Sequence, residues 1–232
     1  MTRTLVCAII DISSRLESMK NMKKYVIFDF GQVLVRFEPS YMVGKYVSDP
    51  VDAAILAHVV FDRKYWDRLD AGTITDTEVI EDICTRVPAR LHDAVADIYY
   101  HWIYNIPEIE GMRELIMHVK STFGVRVFVL SNISAYFAAH AHEIPVLELV
   151  DGCVFSAVCG MTKPNPDIFM HICEKFKLDP TETVFVDDRA ENVQAAQSIG
   201  MTGYVFDGDA DKLRAHLDQL FSMRKNNEIP RF

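Results

Sequence analysis

The chain has no surplus of positive charge. Its 24 Lys and Arg face 33 Asp and Glu, for a formal net charge of −9 over 232 residues. A wide grip on a nucleic-acid backbone needs many cations at once, so that balance argues against nucleic acid as a partner and leaves room only for a small local anion site. Cysteine is scarce and unpatterned. The five cysteines, Cys7, Cys84, Cys153, Cys159 and Cys173, form no C-x-x-C pair and no zinc-like spacing. A domain of this size needs no disulfide staples, so a reducing cytoplasm is the expected location. Long apolar runs are missing as well. The early stretch Leu5-Val-Cys-Ala-Ile-Ile10 is broken by Asp11, is too short for a bilayer, and has no small-residue cleavage site after it. A soluble protein with no membrane partner is expected. The sequence also has no internal repeat and no low-complexity segment.

What is present suits an ordinary folded domain. Half of the residues are hydrophobic and a quarter charged, enough for one core domain or a core carrying an insertion. Short β-branched or aromatic runs predict strands at 25–30, 125–130, 153–156, 183–187 and 203–206. Helical patterns lie between them: one from Glu108 to Lys120, one after Pro166, one from Ala190 to a stop at Gly200, and one opening at Asp209 as N-cap. Strands alternating with helices predict an α/β fold, a Rossmann-like doubly wound parallel sheet.

The segment 38–106 breaks that alternation. Asp49-Pro50 opens one helix, and Thr75-Asp-Thr-Glu78 is a capping box opening another. A helical cap inserted after the first strand is expected, over the sheet edge where open α/β folds bind ligands. The expected organisation is an N-terminal extension over 1–24, a core of 25–37 and 107–221, a cap over 38–106, and a polar tail over 222–232. Met22-Lys-Lys precedes the first strand, so residues 1–21 are either a start-site artefact or a peripheral helix.

Two apolar strands end in carboxylates: Tyr25-Val-Ile-Phe-Asp29 and Val184-Phe-Val-Asp187-Asp188. Unpaired buried carboxylates are costly, so these are expected to gather around a cation or a cationic side chain. Between them lie Ser131-Asn132, at the end of another strand, and Lys163-Pro164. Each element has an ordinary structural use. Ser131-Asn132 and Asp187-Asp188 could cap the helices that follow them, and Lys163 could be a solvated loop lysine. Asp29-Phe-Gly31 also matches the D-F-G of protein kinases, but no Gly-rich loop, V-A-I-K or H-R-D precedes it.

Taken in order, Asp29, Ser131, Lys163 and Asp187-Asp188 resemble the four motifs of the haloacid dehalogenase superfamily, made up mainly of phosphatases. The resemblance covers residues 25 to about 206. It implies that Asp29 is a nucleophile forming an aspartyl-phosphate, and that Mg²⁺ is held by Asp29, the Gly31 carbonyl and Asp188, with Asp187 as a further or supporting ligand. It also implies that Ser131 and the Asn132 backbone amide hold phosphoryl oxygens, and that Lys163 neutralises charge shared by nucleophile and phosphate. Asn192, one helical turn past Asp188, would support that carboxylate pair by a hydrogen bond. Most phosphatases of the family carry an acid–base aspartate where this chain has Gly31. Loss of such help is worth about 10²–10⁴-fold in rate.

The pattern looks like a bacterial subgroup that includes α-D-glucose-1-phosphate phosphatases and is similar to the N-terminal domain of soluble epoxide hydrolases. The segment Trp66-Asp-Arg-Leu-Asp70-Ala-Gly72-Thr-Ile-Thr75 resembles that subgroup's lid. An anomeric oxygen leaves as a weaker base than an alkoxide, so a hexose-1-phosphate suits a site without the usual acid. The expected function is Mg²⁺-dependent hydrolysis of a small phosphorylated metabolite, with Trp66, Asp67 and Arg68 as specificity residues, although Trp66 could equally anchor the lid's own core. Two rivals stand beside it: a 2-haloacid dehalogenase, which needs no metal, and a homologue that binds a phosphorylated ligand without turnover.

Overall fold

The computed structural model describes residues 23–225. The expectations for residues 1–22 and for 226–232 lie outside them. Five strands, β1 (Tyr25–Phe28), β2 (Arg126–Ser131), β3 (Gly152–Phe155), β4 (Thr183–Asp187) and β5 (Thr202–Val205), form one parallel sheet in the order β3-β2-β1-β4-β5. β1 is central, with Phe28 in register with Val129 of β2 and with Val186 of β4. The chain winds outward from β1 through β2 to β3, then crosses back to β4 and β5. That reversal opens a crevice at the carboxyl ends of β1 and β4, the place where doubly wound sheets bind ligands.

Strand side chains alternate between faces, and both faces here are buried, which is why the strands read as continuous apolar runs. Val26, Phe28, Val127, Val129, Val184 and Val186 face one core with Leu115, Ile116, Val119, Leu213, Leu217 and Phe221 of the helices Met112–Phe123 and Ala210–Lys225. Ile27, Phe128, Leu130 and Phe185 face the other, with Ile168, Phe169 and Ile172 of the helix Pro166–Phe176 and Val193 and Ala196 of the helix Ala190–Ser198.

Between β1 and β2 the described structure is helical: Pro39–Val43, Pro50–Val60, Arg63–Asp70, Asp76–Arg86 and His92–His101, with 3₁₀ turns at Ala89–Leu91 and Trp102–Asn105. The two starts expected from sequence are built as expected. Asp49 accepts from the Val51 and Asp52 amides, and Thr75 and Glu78 form a reciprocal capping box. Apolar residues of this block, among them Leu56, Ile83, Val95, Ile98 and Trp102, join the same core as one face of the sheet.

Several boundaries differ from expectation. The helix read from Glu108 begins at Met112, because Gly111 adopts φ +84 just before it. β1 stops at Phe28, and Phe30 turns inward instead of extending the strand. Lys24, expected to lie in an N-terminal extension, already donates its amide to the Glu182 carbonyl and accepts from the Arg126 amide. The last helix runs through Lys225, past the expected start of the tail at 222.

Candidate active site

The four motif positions converge at the carboxyl end of the sheet. Asp29 is the residue after β1, Ser131 ends β2, Asp187 ends β4, and Lys163 lies on the loop between the short helix Ser156–Cys159 that follows β3 and the helix Pro166–Phe176. Lys163 Nζ is 2.9 Å from Asp29 Oδ1 and 2.6 Å from Asp187 Oδ2, with its side chain only 1% exposed. This is no solvated loop lysine. Burial by itself would lower its pKa, but the charges of Asp29 and Asp187 outweigh that and hold the ammonium above the ordinary lysine range.

Asp187 is fully buried and its oxygens are committed. Besides Lys163 it accepts from the Arg189 amide at 2.9 Å, and the Asn192 side-chain amide donates to both oxygens, at 2.9 and 3.0 Å. Asn192 thus supports the carboxylate pair through Asp187. Asp188, half-buried, faces the open side. Asp29, Asp187 and Asp188 each place a carboxylate oxygen within 4.8 Å of the others, a donor set that could hold a hard cation. Burial, with the Asp187 charge added against Lys163, pushes Asp29 up to about 6, and burial beside Asp187 also raises Asp188. The one ammonium does not neutralise this group of carboxylates.

Asn132 is used in an unforeseen way. Its side chain donates to the Lys163 carbonyl at 2.9 Å and accepts from the Lys163 amide at 2.8 Å, pinning the lysine loop against the end of β2. The next helix, Ala135–His140, is capped by Ser134, whose hydroxyl accepts from the Phe137 amide. Ser131 and Asn132 are therefore free of the capping role. The Ser131 hydroxyl has no hydrogen-bond partner among the described residues and lines the cavity.

That cavity, about 330 Å³, lies between the sheet edge and the helical block. From the sheet it takes Asp29, Gly31, Ser131, Asn132, Lys163 and Asp188. Phe37, Phe61, Trp66 and Trp102 form an aromatic wall, with Trp66 stacked on Phe61 at 5.8 Å and edge-on to Trp102 at 5.3 Å. Trp66 thus packs among its neighbours and lines the cavity at once. A Cβ built on Gly31 meets nothing within 4 Å, so neither space nor backbone demands a glycine there.

Residues 23–200 match the family model of the haloacid dehalogenase-like hydrolases. The chain belongs to that family. It is 28% identical over 181 residues to a sesquiterpene phosphatase of Aspergillus oryzae, covering 78% of this chain and 88% of that protein. It is 24% identical over 203 residues to the D-ribitol-5-phosphate phosphatase of Bacteroides thetaiotaomicron, covering 82% and 95%. In fold it resembles a haloacid dehalogenase family enzyme from Bacteroides thetaiotaomicron crystallised with magnesium and inorganic phosphate, with a TM-score of 0.61, 20% identity, and 82% and 98% of the two chains covered.

In this haloacid dehalogenase-like hydrolase the lid residues divide by helical geometry. Arg63, Trp66, Asp67 and Asp70 line the cavity, whereas Arg68, expected there, does not. Positions 63, 66, 67 and 70 are spaced i, i+3, i+4 and i+7 on one helix face, and 68 falls outside it. Sequence reasoning missed Arg63 as a lining residue and Asp70 as a member of the site. The spacing was a signal that could have grouped both with Trp66 and Asp67 on one face, though not one that placed that face at a cavity.

Proposed function

We propose that this haloacid dehalogenase-like hydrolase is a Mg²⁺-dependent phosphatase acting on a small phosphomonoester, a sugar phosphate such as a hexose-1-phosphate, through an aspartyl-phosphate on Asp29. The observation that carries this reading is Lys163, buried and shared at 2.9 and 2.6 Å between Asp29 and Asp187, with Asp188 facing the same cavity. A carboxylate held beside an ammonium at the mouth of a cavity can attack phosphorus, dividing one difficult displacement into two easier ones. The Ser131 hydroxyl and the Asn132 amide receive the phosphoryl oxygens, while Lys163 balances the charge that accumulates around Asp29.

Asp29, the Gly31 carbonyl and Asp188 would hold Mg²⁺, with Asp187 fixed behind them by Lys163 and Asn192. A hard cation fits these donors, because three carboxylates gather there around a single ammonium. When bound, it would supply the charge that lets an anionic nucleophile approach an anionic phosphate. A metal-free dehalogenase would have no use for Asp188 facing the nucleophile. EDTA treatment is therefore expected to lower phosphate release by at least about 10³-fold, restored by Mg²⁺. Activity that persisted through exhaustive chelation would remove the metal from the proposal.

In this reading residues 38–106 act as a cap over the core of 25–37 and 107–221, and the cap selects the substrate. Support for a polyol leaving group over a purely hydrocarbon one comes from Asp67 and Arg63, polar side chains that line the cavity on the cap side. The relatives named above act on both kinds of alcohol, ribitol and a sesquiterpene. A screen of phosphorylated metabolites with Mg²⁺ identifies the substrate itself. No described helix is long and apolar enough to cross a membrane. Cys84, Cys153, Cys159 and Cys173 are free thiols, in keeping with the reducing cytoplasm proposed for the protein.

A further inference from the structure

Expelling an alkoxide from phosphorus requires a proton, and Gly31 brings no side chain to deliver one. Asp70 lines the same cavity from the opposite wall. It is the last residue of the helix Arg63–Asp70, so its carboxyl sits at the negative pole of the helix, where an anion is disfavoured. Its Oδ1 is buried and meets no donor. A carboxyl group so placed costs stability on both counts and makes no hydrogen bond among the described residues in return.

The position is nevertheless fixed from two sides. The Asp70 carbonyl accepts from Ser156 Oγ at 2.7 Å, and the same hydroxyl accepts from the Ile133 amide at 2.9 Å, tying the helix end to the segment after Ser131. Two residues on, Gly72 turns at φ +68, and a Cβ there would lie 3.3 Å from the Ala157 carbonyl oxygen, so glycine spares both the backbone strain and a tight contact. These contacts hold the end of the helix beside the cavity.

We infer that Asp70 is the proton donor and acceptor of this site, in place of the side chain absent at Gly31. In the first step the Asp29 oxygen bonds to phosphorus, the ester P–O bond breaks, and the Asp70 proton passes to the departing oxygen. In the second, a water oxygen bonds to phosphorus, the Asp29–phosphorus bond breaks, and the water's proton returns to Asp70. The sum is ester plus water to alcohol plus phosphate, with both carboxyl groups restored. Burial first, then the charges of Asp67 and Asp29, push the Asp70 carboxyl up to about 7, against Arg63 and Lys163. The segment Ser156–Cys159, packed against the helix end, brings no Asp, Glu, Lys, Arg or His. Both protonation states are thus accessible near neutral pH, as acid and base roles in one cycle require.

This inference rests on the phosphatase reading, and the test separates the two. kcat/KM, which ends at the first irreversible step, is measured for p-nitrophenyl phosphate, whose leaving group needs no proton, and for a hexose 6-phosphate, whose leaving group does. Asp70→Asn is expected to lower the second by about 10²–10⁴-fold and the first by less than about threefold. Wild-type turnover of the hexose 6-phosphate should fall as pH rises through about 7, and that limb should vanish in the variant. The raised carboxyl withdraws stability as pH climbs from its unfolded value toward 7, so at pH 8 the variant should melt no lower than wild type, which with the aryl activity controls for folding. Equal losses on both substrates, or none on either, would overturn the role of Asp70 and leave the phosphatase reading standing. A wild type inert toward both esters, and toward a panel of sugar phosphates with Mg²⁺, would bring down both.

Discussion

Asp29→Asn is expected to lower kcat by at least about 10⁴-fold while leaving the protein folded. The amide matches the carboxylate in shape, so the Phe30 amide, 2.6 Å from Asp29 Oδ1, keeps a carbonyl acceptor. Lys163 retains its shorter contact, to Asp187 at 2.6 Å. What the variant lacks is the anionic oxygen that bonds to phosphorus. Wild type mixed rapidly with a chromogenic phosphate ester should become labelled on Asp29, and the variant should show neither label nor turnover. Turnover within about tenfold of wild type would exclude covalent catalysis by this residue, since no positioning role would be so readily spared.

The second large effect is on stability as well as rate. Lys163→Met leaves Asp29 and Asp187 facing each other with no cation between them, Asp187 fully buried and Asp29 nearly so. Removing one partner of a buried ion pair costs about 3–5 kcal/mol, because the remaining charge is left in a poorly solvating site. In urea unfolding at pH 8 without divalent cations, the variant is expected to lose that much. Burial already raises the Asp29 carboxyl, and losing the ammonium removes what holds it down, so the variant's stability falls as pH rises. The deficit should therefore shrink at pH 5. A deficit below about 1 kcal/mol at pH 8 would mean that the carboxylates are already neutral or solvated in the wild type, and the central ion pair would lose its structural role. Added Mg²⁺ should return part of the stability if these carboxylates bind it, by binding the folded state alone.

Much of the fold was legible because its signals are local. β1, β2 and β4 are buried on both faces, so each reads as an unbroken apolar run, and each ends where a polar residue reaches the sheet edge. The capping box at Thr75 and the Asp49-Pro50 start are written in four or fewer consecutive residues and appear as expected. Gly111 misled the reading of the next helix. A glycine within an otherwise periodic stretch does not announce whether it sits inside the helix or adopts positive φ before it, as it does here.

The site was legible to the extent that its residues end strands. Asp29, Ser131 and Asp187 had to converge once the strands were parallel and adjacent, since residues following parallel strands share one edge. The division of labour within that edge was not written in the motifs. Asp187 and Asp188 are neighbours in sequence, yet one is locked by Lys163 and Asn192 while the other faces the cavity. Asn132 gives its side chain to the lysine loop 31 residues away.

The sequence alone determined the parallel sheet, the inserted helical block and the set of carboxylates with their lysine, because strand period, caps and strand-end residues are properties of short windows. Only the tertiary structure decided which face of the helix Arg63–Asp70 looks into the cavity. It turned Arg63, Trp66, Asp67 and Asp70 inward and Arg68 away. Tyr65 and Leu69 mark the side of this helix that is packed, but nothing in it says that the adjoining strip of Arg63, Trp66, Asp67 and Asp70 borders a cavity. The contact of its end with Ser156 and Ala157, more than 80 residues along the chain, fixes the side and places a carboxyl group where Gly31 leaves none.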